Sequence, residues 1–150
     1  MIAVEGNQTP PELSASLRAA ADLAPNLELL APLSHAETGK LLTRSVAAVS
    51  TSRHEGMPNV FLEAWARGVP ALSLDVDPDG RIAGCGLGVA AGGSWERFVA
   101  GARELWEGRH SRAALSERTR AYVNRVHSKA SVGDRWAAVL EELASARSRS

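Results

Sequence analysis

The chain has 150 residues, with 17 Lys plus Arg and 17 Asp plus Glu, so its formal net charge at pH 7 is zero. This length is sufficient for one domain with its own core, and the balanced charge gives no reason to expect nucleic acid as a partner. The single cysteine, Cys85, excludes an intrachain disulfide and a multi-cysteine metal site. Because no run approaches the roughly 20 apolar residues of a membrane span and no signal peptide is recognisable, we expect no transmembrane segment. The expected location is the cytoplasm, with peripheral binding at the inner face of the membrane as an option.

The first part of the chain contains a strand and an amphipathic helix. The apolar run at residues 1–4 predicts a short buried strand, which ends in a turn at residues 5–7. Thr9 and Glu12 form the pattern of a capping box, with Pro10 at the first helical position, and predict a helix to about Asp22. The residues with helical spacing that should lie on a sheet are Leu13, Leu17, Ala20 and Ala21.

The same unit then repeats. Residues 27–30 predict a second strand, and Ser34 and Glu37 predict a second capping box at the start of a helix that carries Leu41 and Leu42.

The central part predicts two more strands around a short helix. The strand at residues 46–50 leads through a loop into a helix that opens with Pro58 and closes at Gly68. Phe61, Ala64 and Trp65 should face the core. After a strand at residues 71–74, the Gly-rich segment 75–93 is predicted to be mostly loop, with one further strand at residues 87–90.

The last third is helical. From Ser94 onward, apolar residues recur with helical spacing on two stripes, and a final helix follows to about Ala144. Trp95, Trp106 and Trp136 on these stripes are expected in the core. The Ser/Arg-rich residues 145–150 should form a flexible tail.

Short strands alternating with longer helices predict an α/β fold, a doubly wound parallel sheet of Rossmann-like type with C-terminal helices. In such sheets ligands bind beyond the carboxyl ends of the strands. The loops after Val4, Leu30, Ser50 and Leu74 are therefore the places to look for a site.

The densest group of polar side chains lies where the central strand leads into the next helix. Glu55 lies in the loop and Glu63 about a turn and a half into the helix, so they do not share one helical face and can contact two parts of an extended ligand. Gly56 permits close backbone approach, and the helix N-terminus at Pro58 favours a phosphate. Glu63 shares a stripe with Asn59 and can accept both hydrogens of a ribose diol, while Glu55 can hold sugar hydroxyls.

This run resembles the donor-binding motif of the group 1 family of retaining GT-B glycosyltransferases, whose pattern is Glu-x7-Glu. The matching segments, in order, are Glu55-Gly56, Leu62-Glu63-Ala64 and Gly68-Val69-Pro70. Residues 26–34 are similar to the family's strand and loop near the nucleotide base, so the resemblance extends from Met1 to about Leu143.

The resemblance implies that residues 1–144 form a nucleotide-sugar-binding domain that transfers the sugar with retention, without a metal or cofactor. It implies that Glu55 is the catalytic residue next to the donor sugar. The implied donor-binding residues are Gly56, Met57, Pro58, Asn59, Leu62 and Glu63, and the candidate phosphate or base contacts are Arg53, Leu33 and Ser34.

The resemblance also implies a partner. In the family, this domain usually begins with an earlier strand and helix that carry an Arg and a Lys for the diphosphate, and an N-terminal domain binds the acceptor. This chain starts after that point, so we expect it to need an acceptor domain in cis or in trans and to be nearly inactive alone. Two other functions stay open: a nucleotide-sugar epimerase of the same fold, and a non-catalytic donor-binding or assembly module.

Simpler interpretations of single residues also stay open. Arg67 follows Glu63 by four positions, so the two can form a surface ion pair. Asn59 can cap the helix. Arg53 and His54 can be solvated loop residues. Residues 75–77 imitate metal-binding patterns but fit better as a polar loop bordering the cleft. We further expect turns at Gly84, Gly86 and Gly88, and surface or partly buried side chains at His35, His110 and His127.

Overall fold

The computed structural model describes residues 1–4 and 9–147. The predicted turn at residues 5–7 and the last three residues of the predicted tail lie outside the described residues. The chain forms two compact units, Met1–Leu41 and Leu42–Ser150, each of which has a parallel sheet of its own.

The first unit is built on a two-stranded sheet. Strand β1 (Ile2–Val4) pairs in parallel with β2 (Glu28–Leu30), and α1 (Pro11–Leu23) connects them. Helix α2 (His35–Arg44) follows, and its last residues belong to the second unit. Both strands and both helices occur where the sequence predicts them. The first strand is not buried as predicted, however, since Ile2 and Val4 are 45% and 41% exposed.

The two predicted capping boxes differ in outcome. At α2 the box forms: the Ser34 N–H donates to Glu37 Oε2 at 2.9 Å, and the Glu37 N–H donates to Ser34 Oγ at 3.3 Å. Hydrogen bonds from the Ser34 hydroxyl and amide lower the pKa of the Glu37 carboxyl. At α1 the predicted N-cap is wrong by one residue, since Pro10 occupies that position with ψ 143°. A residue that precedes proline is disfavoured in the helical region, so Pro11 keeps Pro10 out of the helix.

Helix α1 packs less completely than its sequence pattern predicts. Leu17 and Ala21 are half-buried, but Leu13 is 50% exposed and Ala20 is exposed. Two strands of three residues present little surface to a helix of 13 residues, so only part of its apolar face is covered.

The second unit contains a three-stranded parallel sheet in the order β3-β4-β5, formed by Ala48–Ser50, Ala71–Ser73 and Gly88–Ala90. Ala48 lies opposite Ala71, which lies opposite Gly88. The helices are α3 (Asn59–Ala66), α4 (Arg81–Gly84), α5 (Trp95–Glu107), α6 (Ala113–Val126) and α7 (Lys129–Arg147), with short 3₁₀ turns at Pro78–Gly80 and Gly108–His110.

Helices cover both faces of this sheet. On one face α3 packs against α6, and Phe61, Trp65 and Tyr122 belong to one buried cluster with Ala71. On the other face Phe98 of α5 packs with Leu72. Adjacent residues of β4 thus point into different clusters, as expected for a strand whose side chains alternate between two buried faces. The predicted α/β class with parallel strands is confirmed.

The segment after β4 is more ordered than its sequence pattern indicates. It contains a 3₁₀ turn and α4, neither of which is predicted. Of the three predicted turn glycines, only Gly86 lies in a turn. The expectation is wrong for Gly84, which is the last residue of α4, and for Gly88, which lies in β5. The φ of Gly88 is +149°, and a Cβ there would lie 1.9 Å from the Ala71 carbonyl oxygen. Only glycine permits this approach of the two strands.

The expectation that three tryptophans lie in the core is also wrong. Trp95, Trp106 and Trp136 are 63%, 58% and 63% exposed. Helix α5 packs closely on the sheet at the buried Gly101, where a Cβ would lie 2.6 Å from Val89 Cγ1. That contact fixes which side of α5 is buried, and both of its tryptophans lie on a different side.

Helix α6 supplies hydrogen bonds to several connections between other elements. Arg112, the N-cap residue of α6, donates to the carbonyls of Ser45 and Val46, both at 2.9 Å. Ser116 Oγ donates to the Gly68 carbonyl at 2.7 Å. Two further arginines of α6 donate to carbonyls, Arg118 to Gly86 and Arg120 to Arg67. Hydrogen bonds from α6 and its N-cap residue thus stabilise the turn before β3, the turn after α3 and the turn after α4.

The last helix, α7, continues to Arg147, three residues past the predicted end of the domain at residue 144. Among the described residues, no helix has the length and apolar character needed to cross a membrane.

Candidate functional site

The loop after β3 leads into the N-terminus of α3. The Ser52 N–H donates to Ser50 Oγ at 3.2 Å, which fixes the start of the loop. Pro58 is the N-cap, with ψ 121°, and its carbonyl accepts the Phe61 N–H at 3.0 Å. Asn59 is therefore the first helical residue and not the cap. Its N–H and that of Val60 have no acceptor within the helix, because the first turn of any helix leaves these donors unpaired.

The other end of α3 is closed as predicted at Gly68. This glycine has φ +79°, its N–H donates to the Trp65 carbonyl at 3.0 Å, and the Val69 N–H donates to the Ala64 carbonyl at 2.9 Å. These two bonds form a Schellman motif, which requires a left-handed residue at that position. The helix therefore has a fixed length of eight residues.

Buried contacts hold α3 rigidly beneath the loop. Phe61, Ala64 and Trp65 have no exposed surface, as the sequence predicts. Trp65 Nε1 donates to the Leu87 carbonyl at 3.1 Å, and the Trp65 ring meets the Tyr122 ring edge-on at 5.6 Å. The loop thus rests on a helix that both its core contacts and its C-terminal cap hold in place.

The loops after β3 and β4 enclose an open cleft of about 660 Å³. This volume is within the range of small-molecule sites in proteins. One wall is formed by Arg53, His54, Glu55 and Gly56, and the other by Val76, Asp77, Pro78 and Asp79. The cleft lies at the carboxyl ends of neighbouring parallel strands, where the sequence predicts a site, and the predicted polar loop at residues 75–77 borders it through Val76 and Asp77.

The second wall is held by the side chain of Asp77. Its Oδ1 accepts the Ile82 N–H at 2.7 Å and its Oδ2 accepts the Ala83 N–H at 3.2 Å. The carboxylate therefore caps the first turn of α4. Within the described part of the chain, no group of three or more His, Cys, Asp or Glu side chains could hold a metal ion.

Asp79 is a cleft residue that sequence reasoning missed. It is exposed and has φ +50°, a conformation that Asp adopts more readily than most side chains. The signal available in the sequence was the Pro78-Asp79-Gly80 run, whose residue types are typical of turns. With Asp77 and Glu55 it gives the cleft three acidic side chains against one arginine, Arg53.

The predicted site residues divide into groups. Arg53, Glu55 and Gly56 line the cleft together. Pro58 is buried, and Met57 and Leu62 pack against the main core cluster, so the side chains of these two contact the core. The other members do not line this cleft: Asn59 and Glu63 lie on α3, and Leu33 and Ser34 belong to the first unit.

Glu63 lies beside Arg67, as the simpler interpretation predicts. Glu63 Oε2 and Arg67 Nη1 are 4.0 Å apart, with the two side chains 27% and 29% exposed. The same Nη1 donates to the Glu63 carbonyl at 2.8 Å. The guanidinium is thus held mainly by the backbone oxygen, and its contact with the carboxylate is long.

Comparison with known proteins identifies the family. The family model described as glycosyl transferases group 1 matches residues 3–122, four fifths of the chain. The chain belongs to the group 1 glycosyltransferase family. The match includes both walls of the cleft and the whole of α3, and it ends before α7 begins at Lys129. No curated protein matches the chain. The family assignment supports glycosyl transfer as the general activity of this domain.

Proposed function

We propose that the chain binds a nucleotide-diphosphate sugar in the cleft between the loops after β3 and β4. With an N-terminal acceptor domain supplied in cis or in trans, the sugar then passes to an acceptor with retention of configuration. The observation that carries this proposal is the placement of Glu55 and Gly56 in a cleft of about 660 Å³, directly before the N-terminus of α3. The proposal requires no metal or cofactor.

The start of α3 supports binding of the diphosphate. The N–H groups of Asn59 and Val60 are free of intrahelical acceptors, and the positive end of the helix dipole favours an anion there. Gly56 has no atom within 4 Å of the position that a Cβ would take. The ligand can therefore approach the backbone closely at this point.

In this proposal the two glutamates act on different parts of the donor. Glu55, which is exposed in the cleft, accepts hydrogen bonds from sugar hydroxyls and stabilises an oxocarbenium-like state electrostatically. Glu63 accepts hydrogen bonds from both hydroxyls of the ribose. Its Oε2 is buried and lies 4.0 Å from Arg67 Nη1, so the carboxylate has to turn away from Arg67 toward the ligand when the donor binds.

The charge of the cleft supports the need for a partner domain. Three carboxylates and one guanidinium line it, so a diphosphate finds little positive charge besides Arg53 and the helix dipole. Retention without a protein nucleophile depends on stabilising the departing diphosphate. We therefore expect the isolated chain to bind donors weakly and to transfer sugar only when another domain provides cations.

Isothermal calorimetry with uridine, guanosine and thymidine diphosphates, and with one sugar conjugate of each, tests the proposal. Glu63→Gln should weaken binding of the preferred diphosphate about tenfold, because a hydrogen bond to a charged group contributes about 1.5 kcal/mol. Glu55→Gln should weaken only the sugar conjugate. Glu104→Gln, an exposed position on α5, is the matched control and should change neither.

Two outcomes would contradict the proposal. One is that none of the three diphosphates binds even after an acceptor domain is added. The other is that the Glu104 variant loses as much affinity as the Glu63 variant, since the loss would then not depend on the motif.

A further inference from the structure

Asp79, in the wall of the cleft opposite Glu55, has an unusual backbone conformation. Its φ is 50° and its ψ is 27°, and in the part of the chain that the structure describes it is the one residue other than glycine with a positive φ. This left-handed conformation costs free energy for a residue with a side chain and almost none for glycine. Such strained residues cluster at functional sites, so Asp79 is a candidate for a functional side chain.

Hydrogen bonds and burial hold the backbone around Asp79 in place. The Gly80 N–H donates to the Asp77 carbonyl at 3.0 Å, which closes the turn that contains Asp79. The Asp77 carboxylate accepts the Ile82 N–H at 2.7 Å, and both Pro78 and Ile82 are buried. The turn therefore keeps Asp79 at one position in the wall of the cleft.

The three carboxylates of the cleft differ in what they contact. That of Asp77 accepts hydrogen bonds from two backbone N–H groups of α4. Glu55 and Asp79 are exposed, and among the described residues neither of their carboxylates accepts a hydrogen bond or forms an ion pair. Arg53 is the one arginine or lysine in the two walls. The cleft thus holds two carboxylates that are available to a ligand, one in each wall, and a surplus of negative charge.

We propose that the cleft accepts a donor whose sugar is neutral or carries an amino group and rejects a uronic acid, and that Asp79 determines this specificity. The inference rests on the proposed function, in which Glu55 contacts the sugar. A sugar held by Glu55 lies between the two walls, so the Asp79 carboxylate faces it from the other side. There the carboxylate accepts hydrogen bonds from hydroxyl groups or from a protonated amine.

A carboxylate on the sugar is disfavoured in the same position. It has no hydrogen to donate to Glu55 or Asp79, and it brings a further negative charge close to both. In a cleft that water partly fills, each like charge a few ångströms away should weaken binding about tenfold. Arg53 offsets at most one of the two charges. Repulsion of the wrong ligand by like charges is a general source of specificity.

Isothermal calorimetry of the whole chain with matched donors tests the specificity. The pairs are glucose and glucuronic acid on uridine or thymidine diphosphate, and mannose and mannuronic acid on guanosine diphosphate. Within the pair that binds, the dissociation constant of the uronic acid should be about tenfold higher. This ratio should fall as the salt concentration rises from about 0.05 to about 0.5 M, because salt screens exposed charges. On uridine diphosphate, glucosamine should bind at least as tightly as glucose.

Asp79→Asn tests the residue itself. Asn keeps the size of the side chain and tolerates the left-handed conformation, so the turn is retained while the charge is lost. The ratio should fall to about threefold, the remainder being due to Glu55. Asp79→Gly relieves the strain and should lower the ratio equally, since it removes the same charge. Asp75→Asn is the matched control: Asp75 is exposed in the same loop without lining the cleft, and its variant should keep the full ratio.

The outcomes separate this inference from the proposed function. If no diphosphate and no conjugate binds even with an acceptor domain added, the proposed function is wrong and the inference with it. If the neutral donor and the uronic acid bind equally well, or if both Asp79 variants keep the full ratio, the inference alone is overturned. The same holds if Asp75→Asn lowers the ratio as much as Asp79→Asn, because the total charge of the chain would then be responsible and not the wall of the cleft.

Discussion

Helices α3 and α7 carry similar apolar patterns and have opposite environments. Each has a tryptophan on its apolar face, but Trp65 has no exposed surface and Trp136 is 63% exposed. Helix α3 lies between the sheet and α6, whereas α7 is anchored at its first turns. Periodicity therefore identifies the apolar face of a helix, but it does not show whether the same chain covers that face.

Replacing the tryptophans of α3 and α7 should give the largest difference in the free energy of unfolding between the two helices. Trp65→Ala removes the ring contacts with Phe61 and Tyr122 and the hydrogen bond to Leu87, and should lower the free energy of unfolding by about 3–5 kcal/mol. Trp136→Ala should change it by less than about 0.5 kcal/mol in the monomer. Urea unfolding at low micromolar concentration measures both. Equal losses in the two variants would show that α7 is packed in solution as tightly as α3.

A smaller difference in the free energy of unfolding is expected between alanine substitutions at two glycines. Gly88→Ala places a methyl group against the Ala71 carbonyl and should destabilise the sheet by about 3 kcal/mol, from the clash and the positive φ together. Gly133→Ala adds a methyl group to open space in the middle of α7 and should stabilise the chain by about 0.5 kcal/mol. Thermal unfolding of the two variants compares them. A destabilising Gly133→Ala would mean that this face of α7 is occupied.

The smallest effect on stability concerns His127, which is the C-cap residue of α6 and lies between α6 and α7 in the chain. Burial lowers the pKa of the His127 imidazole, and Arg135 and Arg81 lower it further. Within the described part of the chain its Nε2 is buried without a hydrogen bond partner, and its ring lies 5.5 Å from that of Tyr122.

A lowered histidine pKa means that the unfolded chain binds the proton more readily. This contribution to stability is thus complete above pH 6.5, the ordinary value for histidine, and is lost as the pH falls from there toward the folded-state pKa. The melting temperature should decline over that window, and His127→Gln should reduce the decline. His110→Gln, at an exposed site, is the control. An unchanged slope in the His127 variant would contradict the assignment.

Local signals in the sequence predicted much of the fold and one wall of the cleft. The capping box at Ser34 and the helix end at Gly68 depend on neighbouring residues only, and both occur as predicted. Thr9 is not the N-cap of α1, because Pro11 disfavours the helical conformation at Pro10 and the helix starts one residue later than predicted. The resemblance to the family rests on the spacing of Glu55 and Glu63 together with Gly68-Val69-Pro70 and residues 26–34, and the family match over residues 3–122 confirms it.

The remaining features depend on contacts between distant parts of the chain. Asp79 joins the cleft because β3 and β4 lie side by side, which brings residues 53–56 close to residues 76–79. The exposed side of α5 is decided by the close approach of Gly101 to Val89. The closeness of the two cleft loops and the approach of Gly101 to Val89 cannot be predicted from periodicity, since both depend on how the strands and helices pack together.

The hydrogen bonds from α6 have a consequence for how the protein is made. The connection before β3, the end of α3 and the end of α4 receive donors from Arg112, Ser116 and Arg118, which lie 67, 48 and 32 residues further along the chain from the carbonyls that they reach. A nascent chain released from the ribosome at residue 110 would lack all three donors. The two ends of the segment that contains β3, the Glu55 loop and α3 therefore acquire these hydrogen bonds late in translation, only after Arg112 and Ser116 have emerged.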